Sequence, residues 1–280
     1  MQGEMNATLS PIPFFPREPG PDNLIAHRGE SEDAPENTIA AYKTAVGRGL
    51  GFECDLYLSS DGRVFTFHDQ TLERTTAGAD TRRCEEITWD EASRLNVGGW
   101  GKWSGSKFEG LHPVLLEDVL ELARDGRKIY LEVKSGPAAV PAIARVLTAQ
   151  RKAHPGNALF ISFHEDVCAE IKRLMPSYTV YLLLGAWRKT ESGEKVPRTA
   201  AEVVAALERC GADGVDLQFV PELHDADFVR TVHEAGRHFH VWTVDWPAKT
   251  LLAFCRGVET VTTNRAQWQL DTIAEQAAKA

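Results

Sequence analysis

Four short stretches of the chain combine residue types that packing alone would rarely put together. His27-Arg28-Gly29 sets a titratable ring, a fixed cation and a glycine directly after the apolar run Leu24-Ile25-Ala26. Glu53-Cys54-Asp55 and Glu132-Val133-Lys134 each hold two ionisable side chains two positions apart within strand-forming runs. His68 closes the run VFTFHD. Alternate side chains of a strand share a face, so Glu53 lies beside Asp55 while Cys54 points away, and Glu132 lies beside Lys134. Carboxylates buried together are costly unless a cation neutralises them. Glu53, Asp55 and Glu132, with no soft ligand beside them, suit one hard divalent cation, Mg²⁺ or Ca²⁺. Arg28 and Lys134 add positive charge for an anionic substrate. His27 and His68 complete the set, one to take a proton and one to give it. The combination suits cleavage of a phosphodiester, the metal polarising phosphoryl oxygens and the cations balancing developing charge.

These residues need a scaffold that brings strand ends together. Strand-like runs at Leu24–Ala26, Gly51–Leu58, Ile129–Val133, Leu159–Phe163, Thr179–Leu184, Gly214–Leu217, His238–Val244 and Glu259–Thr262 alternate with helical patterns. The helical patterns are Asn37–Arg48, Leu116–Arg124, Ala138–Gln150, Glu165–Leu174, Ala200–Cys210, Ala226–Ala235, Pro247–Phe254 and Arg265–Ala278. Eight such units predict an α/β fold, a (β/α)₈ TIM barrel, with an open doubly wound sheet as the alternative. In a barrel, chemistry sits at the C-terminal ends of the strands, which is where His27 and Arg28 fall. Gly29 permits a sharp turn there, and Asn37 or Glu36 is expected to cap the next helix. Two connections exceed plain loops. Residues 59–114 begin with the hairpin-like SSDGRVFTFHD, turning at Asp61-Gly62, and the insertion proper spans about 70–113. The other is GAWRKTESGEKVPR, 185–198.

Composition narrows the class. The chain has 280 residues, 43% hydrophobic and 25% charged, which suits one soluble globular domain. A formal charge of -9 argues against a nucleic-acid partner, which would need a basic face. Five cysteines without a CxxC fit a reducing, cytoplasmic setting, with Cys168, Cys210 and Cys255 expected at small buried positions. Residues 1–22, with Pro11, Pro13, Pro16, Pro19 and Pro21, read as an extended arm rather than a signal peptide, and residues 23–280 as the barrel domain. No apolar run approaches the ~20 residues of a membrane helix, so no membrane insertion is expected.

HRG at 27–29, PENT at 35–38, ECD at 53–55, DGRVFTFHDQTLERTTAG at 61–78, LEVK at 131–134 and WTVD at 242–245 resemble the glycerophosphodiester phosphodiesterases. The resemblance covers most of residues 24–268. It implies a TIM barrel with an insertion after its second strand, and hydrolysis of a small-molecule glycerophosphodiester to glycerol 3-phosphate and an alcohol. It implies metal binding by Glu53, Asp55 and Glu132, acid–base roles for His27 and His68, and phosphate contacts from Arg28 and Lys134. Trp242 looks like the family's rim tryptophan, packed on the glycerol side. The related bacterial phosphatidylinositol phospholipases suggest attack by the substrate's own hydroxyl through a cyclic intermediate. VTTNRAQ at 261–267 looks like the family's last strand and turn, which more often carries Asp where Asn264 stands.

Other features have plainer readings. His238-Phe239-His240 has a spacing used for zinc in other hydrolase barrels, but the carboxylates cluster elsewhere, so packed interior positions are expected. Trp100 and Trp103 either cover the alcohol portion of the substrate as a lid or pack the insertion on the barrel. Arg74 is expected to hold the insertion to the rim. Glu30, Glu32 and Asp33 read as a solvated loop, His164 as a possible pocket border, and His112, His154, His224 and His233 as surface or loop residues. A lysophospholipid substrate and a barrel that binds without cutting are the rival functions; an exposed apolar rim would favour the first.

Overall fold

The computed structural model describes residues 10, 12–14 and 16–279. The chain forms strands β1 (Leu24–Ala26), β2 (Gly51–Leu58), β3 (Val64–Thr66), β4 (Ile129–Val133), β5 (Ala158–Ser162), β6 (Val180–Leu184), β7 (Trp187–Lys189), β8 (Lys195–Pro197), β9 (Gly214–Gln218), β10 (His238–Trp242) and β11 (Thr260–Thr263). Its helices are α1 (Ile39–Gly47), α2 (Trp89–Ala92), α3 (Leu116–Leu120), α4 (Val140–Ala149), α5 (Glu165–Leu174), α6 (Ala200–Cys210), α7 (Ala226–Glu234), α8 (Pro247–Cys255) and α9 (Ala266–Ala277).

Eight strands run parallel in the order β1-β2-β4-β5-β6-β9-β10-β11, and β11 pairs back onto β1 through Leu24 opposite Val261 and Ala26 opposite Thr263. The sheet is therefore closed, and the TIM barrel expected from the eightfold alternation is present. The open doubly wound alternative is excluded. Parallel strands buried on both faces read as continuous apolar runs, and β4, β5 and β6 are buried at every position. One layer of core lies between strands and helices, with Leu24, Phe52, Leu131, Phe160, Leu182 and Val215 among its members. Ile25, Tyr130, Leu159, Ile161, Tyr181 and Leu183 fill the inside of the barrel.

Both long connections have structure of their own. β3 pairs antiparallel with the end of β2, as the Asp61-Gly62 turn predicts. The insertion then builds a small second core from Tyr57, Phe65, Phe67, Leu72, Cys84, Ile87, Ala92 and Val97. Residues 185–198 form the β7–β8 hairpin, with Trp187 opposite Pro197.

Several local expectations need correction. The cap of α1 is Thr38, whose side chain accepts from Ala41 N, not Asn37 or Glu36. Asn37 adopts φ 55 and turns its amide toward the barrel instead. Helix α3 stops at Leu120, short of Arg124, because the chain turns at Gly126 (φ 74) to enter β4. Cys168 and Cys210 are buried as expected, but Cys255, the last residue of α8, is exposed. His224 and His233 are interior rather than surface residues. The His224 ring accepts from Val220 N, and the His233 ring bridges the carbonyls of Arg237 and Gly257. Glu30 is 1% exposed, taking Gln267 N and Arg48 rather than water, while Glu32 and Asp33 are solvated.

Of the N-terminal arm, residues 1–9, 11 and 15 lie outside the described residues. The described part packs at the far end of the barrel from the site. Ile12 N donates to His233 O at 2.9 Å, and Phe14 sits under the Arg230 guanidinium. Gly257 is a glycine for this reason, since a Cβ there would meet the Phe14 ring at 2.6 Å.

Candidate active site

The C-terminal ends of β1, β2 and β4 converge on one cavity of about 300 Å³. Its walls include His27, Arg28, Glu53, His68, Glu132 and Lys134 on one side, and Ile161, Phe163, Leu183, Asp216, Trp242 and Thr262 on the other. All the predicted site residues except Asp55 line it, and Asp55 is fully buried and ion-paired with Arg28 and Lys134.

The turn after β1 answers why a glycine follows the histidine. His27 N extends the barrel ladder to Thr263 O at 2.9 Å. Arg28 then takes φ 56, and its N–H donates to Glu53 Oε2 at 2.9 Å. Gly29 follows at φ 79, where a Cβ would strike the Ala41 backbone at 2.5 Å. The left-handed pair reverses the chain so tightly that loop and α1 touch.

Glu53, Asp55 and Glu132 are 1%, 0% and 6% exposed, and one oxygen from each lies within 4.8 Å of the others. Lys134 Nζ reaches Asp55 Oδ1 at 3.0 Å and Glu132 Oε1 at 2.5 Å, while Glu53 Oε1 is buried with no hydrogen-bond partner. The charges do not share this crowding equally. Burial opposes ionisation of Asp55, but Lys134 and Arg28 outweigh it and hold its carboxyl well below the usual range. Burial, then repulsion from Asp55 and Glu132, pushes Glu53 well up. Burial drives Glu132 to about 7 despite Lys134. Such a cluster has more buried negative charge than its cations balance, and a divalent ion accepting these oxygens would relieve it. The donor set fits a hard cation. Arg28 and Lys134 are not free cations here: Arg28 also bonds Glu36 Oε1 at 2.8 Å.

Each histidine has an oriented ring. His68 Nδ1 lies 2.5 Å from Asp69 Oδ1, and Arg74 locks that carboxylate through Asp69 Oδ2 at 2.6 Å. His27 Nδ1 lies 2.7 Å from Asn264 Oδ1, and the Asn264 amide donates to Asp245 Oδ2 at 2.8 Å. The amide is thereby fixed with its oxygen toward His27. In both rings Nδ1 carries the hydrogen and Nε2 is left for the cavity. Burial, with Arg28 adding to it, depresses His27 to about 4. Burial together with Arg28 and Lys134 also lowers His68.

Sequence reasoning missed these orienting groups. Asp69 follows His68 directly, so adjacency was a usable signal. Asn264, Asp245 and Asn37 act across 237, 19 and 18 positions, and only the fold reveals them. Asn37 holds Asp55 on both sides, its amide donating to Oδ2 at 2.6 Å and its oxygen accepting from Asp55 N at 3.2 Å.

Other candidates settle into structural places. Arg74 bonds Glu36 and Asp69 and lies 4.8 Å over the Trp100 ring, tying insertion to rim. Trp100 and Trp103 do not line the cavity, and Trp103 packs edge-on to Phe108 at 5.3 Å, so packing replaces the lid reading. His164 is exposed and off the cavity; its neighbour Phe163 is the lining residue. His238 pairs with Glu259, and His240 bonds Thr260 and Thr262, so neither is free for zinc. The one metal-capable acidic group found among the described residues is Glu53, Asp55 and Glu132. Trp242 lines the cavity, its indole N–H fixed on Asp216 O at 3.1 Å.

Known proteins resemble this chain in sequence and in fold. The sequence model of the glycerophosphoryl diester phosphodiesterase family matches residues 27–267. A glycerophosphodiester phosphodiesterase of Caldanaerobacter subterraneus is 34% identical over 57% of this chain, a match spanning 65% of that protein. One from Bacillus subtilis is 28% identical over 87% of this chain and 84% of its own length. The structure of an Oleispira antarctica phosphodiesterase in complex with the product sn-glycerol-3-phosphate superposes with TM-score 0.76 and 25% identity, covering 90% of this chain and 96% of that one. With the family match running from the first site histidine to beyond the last barrel strand, the chain belongs to the glycerophosphoryl diester phosphodiesterase family.

Proposed function

We propose that this enzyme hydrolyses soluble glycerophosphodiesters to glycerol 3-phosphate and an alcohol. The observation that carries the reading is the meeting of a three-carboxylate cluster with two oriented histidines in one cavity. The product held by the Oleispira relative supports a glycerol phosphate as the moiety bound. Glu53, Asp55 and Glu132 would hold one divalent ion, Mg²⁺ or Ca²⁺, which when bound polarises the phosphoryl oxygens. Arg28 and Lys134 lie where the phosphate's charge would develop. One histidine Nε2 takes the proton of the attacking hydroxyl, and the other delivers a proton to the departing alkoxide. Attack by the glycerol hydroxyl itself, then hydrolysis of the cyclic product, fits two such groups in one cavity. Trp242 packs against the glycerol carbons.

The same reading takes residues 23–280 as the catalytic unit, with the insertion at about 70–113, and residues 1–22 as an arm. It places the enzyme in the cytosol, supported by five unpaired cysteines. No helix among the described residues is long and apolar enough to cross a membrane.

One observation favours a second reading. Phe163, Trp187, Trp246 and Trp268 are 46%, 38%, 59% and 43% exposed, each comes after a barrel strand in the chain, and Phe163 lines the cavity. Such exposed aromatics would suit a lipid-like substrate such as a lysophospholipid. The test is release of glycerol 3-phosphate from glycerophosphocholine, with EDTA and then with Mg²⁺, Ca²⁺ or Zn²⁺ restored. Loss with EDTA and recovery with Mg²⁺ or Ca²⁺ is expected. Cleavage of lysophospholipids alone would move the substrate to the second reading, and no cleavage of either would leave a binding barrel.

A further inference from the structure

Asp216 belongs to no part of the machinery described so far. It sits in the middle of β9, is 0% exposed, and lines the floor of the cavity. Neither of its carboxyl oxygens has a hydrogen-bond partner in the chain. The nearest polar atom recorded is His240 Nε2 at 3.5 Å, and that nitrogen is already 2.8 Å from Thr262 Oγ1. Buried carboxyls are among the most costly groups to leave unpaired. A chain that keeps one on a cavity floor, between Leu183 of β6 and Trp242 of β10, keeps it for a partner from outside.

Its position narrows that partner. In the closed ring of eight strands, β9 is four strands from β2 by either route, directly across the barrel from Glu53 and Asp55. A phosphodiester whose phosphate meets His27, Arg28 and Lys134 has its remaining length pointing toward Asp216. Two ends compete for that direction. The alcohol that leaves varies in size and needs the open mouth. The glycerol is constant and short, and its carbons would lie between Leu183 and Trp242. Its middle hydroxyl stays beside the phosphorus, so the terminal hydroxyl is the one that reaches the floor.

Resting on the proposed function, we infer that Asp216 is a specificity-determining residue that hydrogen-bonds the free terminal hydroxyl of the substrate's glycerol moiety. Burial, then repulsion from Glu132, raises the Asp216 carboxyl well above its ordinary range, and a neutral carboxyl both donates to and accepts from a hydroxyl. An acyl ester at that carbon would present no donor and would crowd the floor. Asp216 therefore selects deacylated substrates over lysophospholipids acylated there, despite the exposed aromatics.

The test compares kcat/KM for glycerophosphocholine with that for the analogue in which the terminal hydroxyl is replaced by hydrogen, in the wild type, Asp216→Val and Asp216→Asn. The wild type is expected to favour the hydroxylated substrate by on the order of 10–10²-fold, the range of one good buried hydrogen bond. In Asp216→Val that preference should collapse to within about threefold, while Asp216→Asn, which keeps a donor and an acceptor, should retain most of it. The melting temperature of Asp216→Val should rise, because no internal bond is lost and a buried carboxyl is removed. An undiminished preference in Asp216→Val, or no preference in the wild type, overturns the inference. If Asp216→Val does not fold, Asp216→Asn decides: loss of the preference in the isosteric amide overturns the role of a two-way hydrogen bond. A wild type that cleaves neither substrate with any metal overturns the proposed function itself, and is distinct from one that cleaves both equally.

Discussion

His27 and His68 hold their rings by different means, and the difference has consequences. His68 leans on a carboxylate, Asp69, which Arg74 also neutralises. His27 leans on the neutral Asn264, with the charge of Asp245 one bond further away. A carboxylate partner stabilises a protonated ring more strongly than an amide does. His68 should therefore hold a proton to higher pH than His27, so under the proposed function His68 suits the donor and His27, the ring left neutral, the acceptor. If both shuttle protons, His27→Ala and His68→Ala should each lower turnover by on the order of 10²–10⁴-fold with the barrel still folded by circular dichroism. Near-normal turnover in either variant removes that residue from the pair. Asn264→Asp adds a charge beside His27 and should shift the acid limb of the pH–rate profile upward, since a protonated His27 would persist to higher pH; an unmoved limb would mean that Asn264 merely packs. The histidines and carboxylates were legible because each follows or interrupts a strand pattern. Asn264 was legible only as a departure from the family pattern, since its partner lies at the other end of the chain.

At the scale of the element, what reads easily in sequence is what depends on periodicity. The eight barrel strands fall within one or two residues of their apolar runs because each is buried on both faces. Asn37 shows the opposite case. Within PENT it reads as a cap for α1, yet Thr38 takes that place while Asn37 adopts φ 55 and holds Asp55. Asn37→Ala should both strain the turn and leave Asp55 short of a donor, costing about 2–4 kcal/mol in urea unfolding; a loss below about 0.5 kcal/mol would show the contact to be incidental. The His238-Phe239-His240 run carries a different signal. Burial lowers His240 to about 3, whereas in the unfolded chain it titrates near 6.5. Between those values the unfolded state binds the extra proton, so stability falls as pH drops below about 6.5. His240→Gln should flatten that fall by up to about 1.4 kcal/mol per pH unit, read from urea midpoints between pH 6.5 and 4. An unchanged slope would place the acid sensitivity in His27 or His224 instead, both of which are also lowered to about 4.

For the molecule as a whole, closure of the barrel and the charge of its site are one problem. β2 carries Glu53 and Asp55 in a strand buried along nearly its whole length, and β4 brings Glu132 opposite Asp55 by register. The fold thus forces three carboxylates together before any ion arrives, and their repulsion is set against the packing of the barrel. An ion that binds the folded state and not the unfolded chain returns that stability by mass action, about 2.7 kcal/mol at a concentration 100 times its dissociation constant. For a chain of this size that corresponds to a rise of roughly 5 °C in melting temperature. Glu53→Gln separates the two effects. Glu53 Oε1 has no partner to lose, and its raised carboxyl is crowded by Asp55 and Glu132. In EDTA the variant should melt at or above the wild-type temperature, because a buried carboxyl crowded by two others has gone. With Mg²⁺ or Ca²⁺ it should gain little, because a ligand has gone too. The two melting curves should therefore cross: variant more stable without metal, wild type more stable with it. A wild type that gains nothing from either ion would remove the metal from this site, and a variant that gains as much as the wild type would remove Glu53 from the ligands. Neither result would disturb the fold, because barrel closure rests on the apolar faces of the strands and not on this cluster.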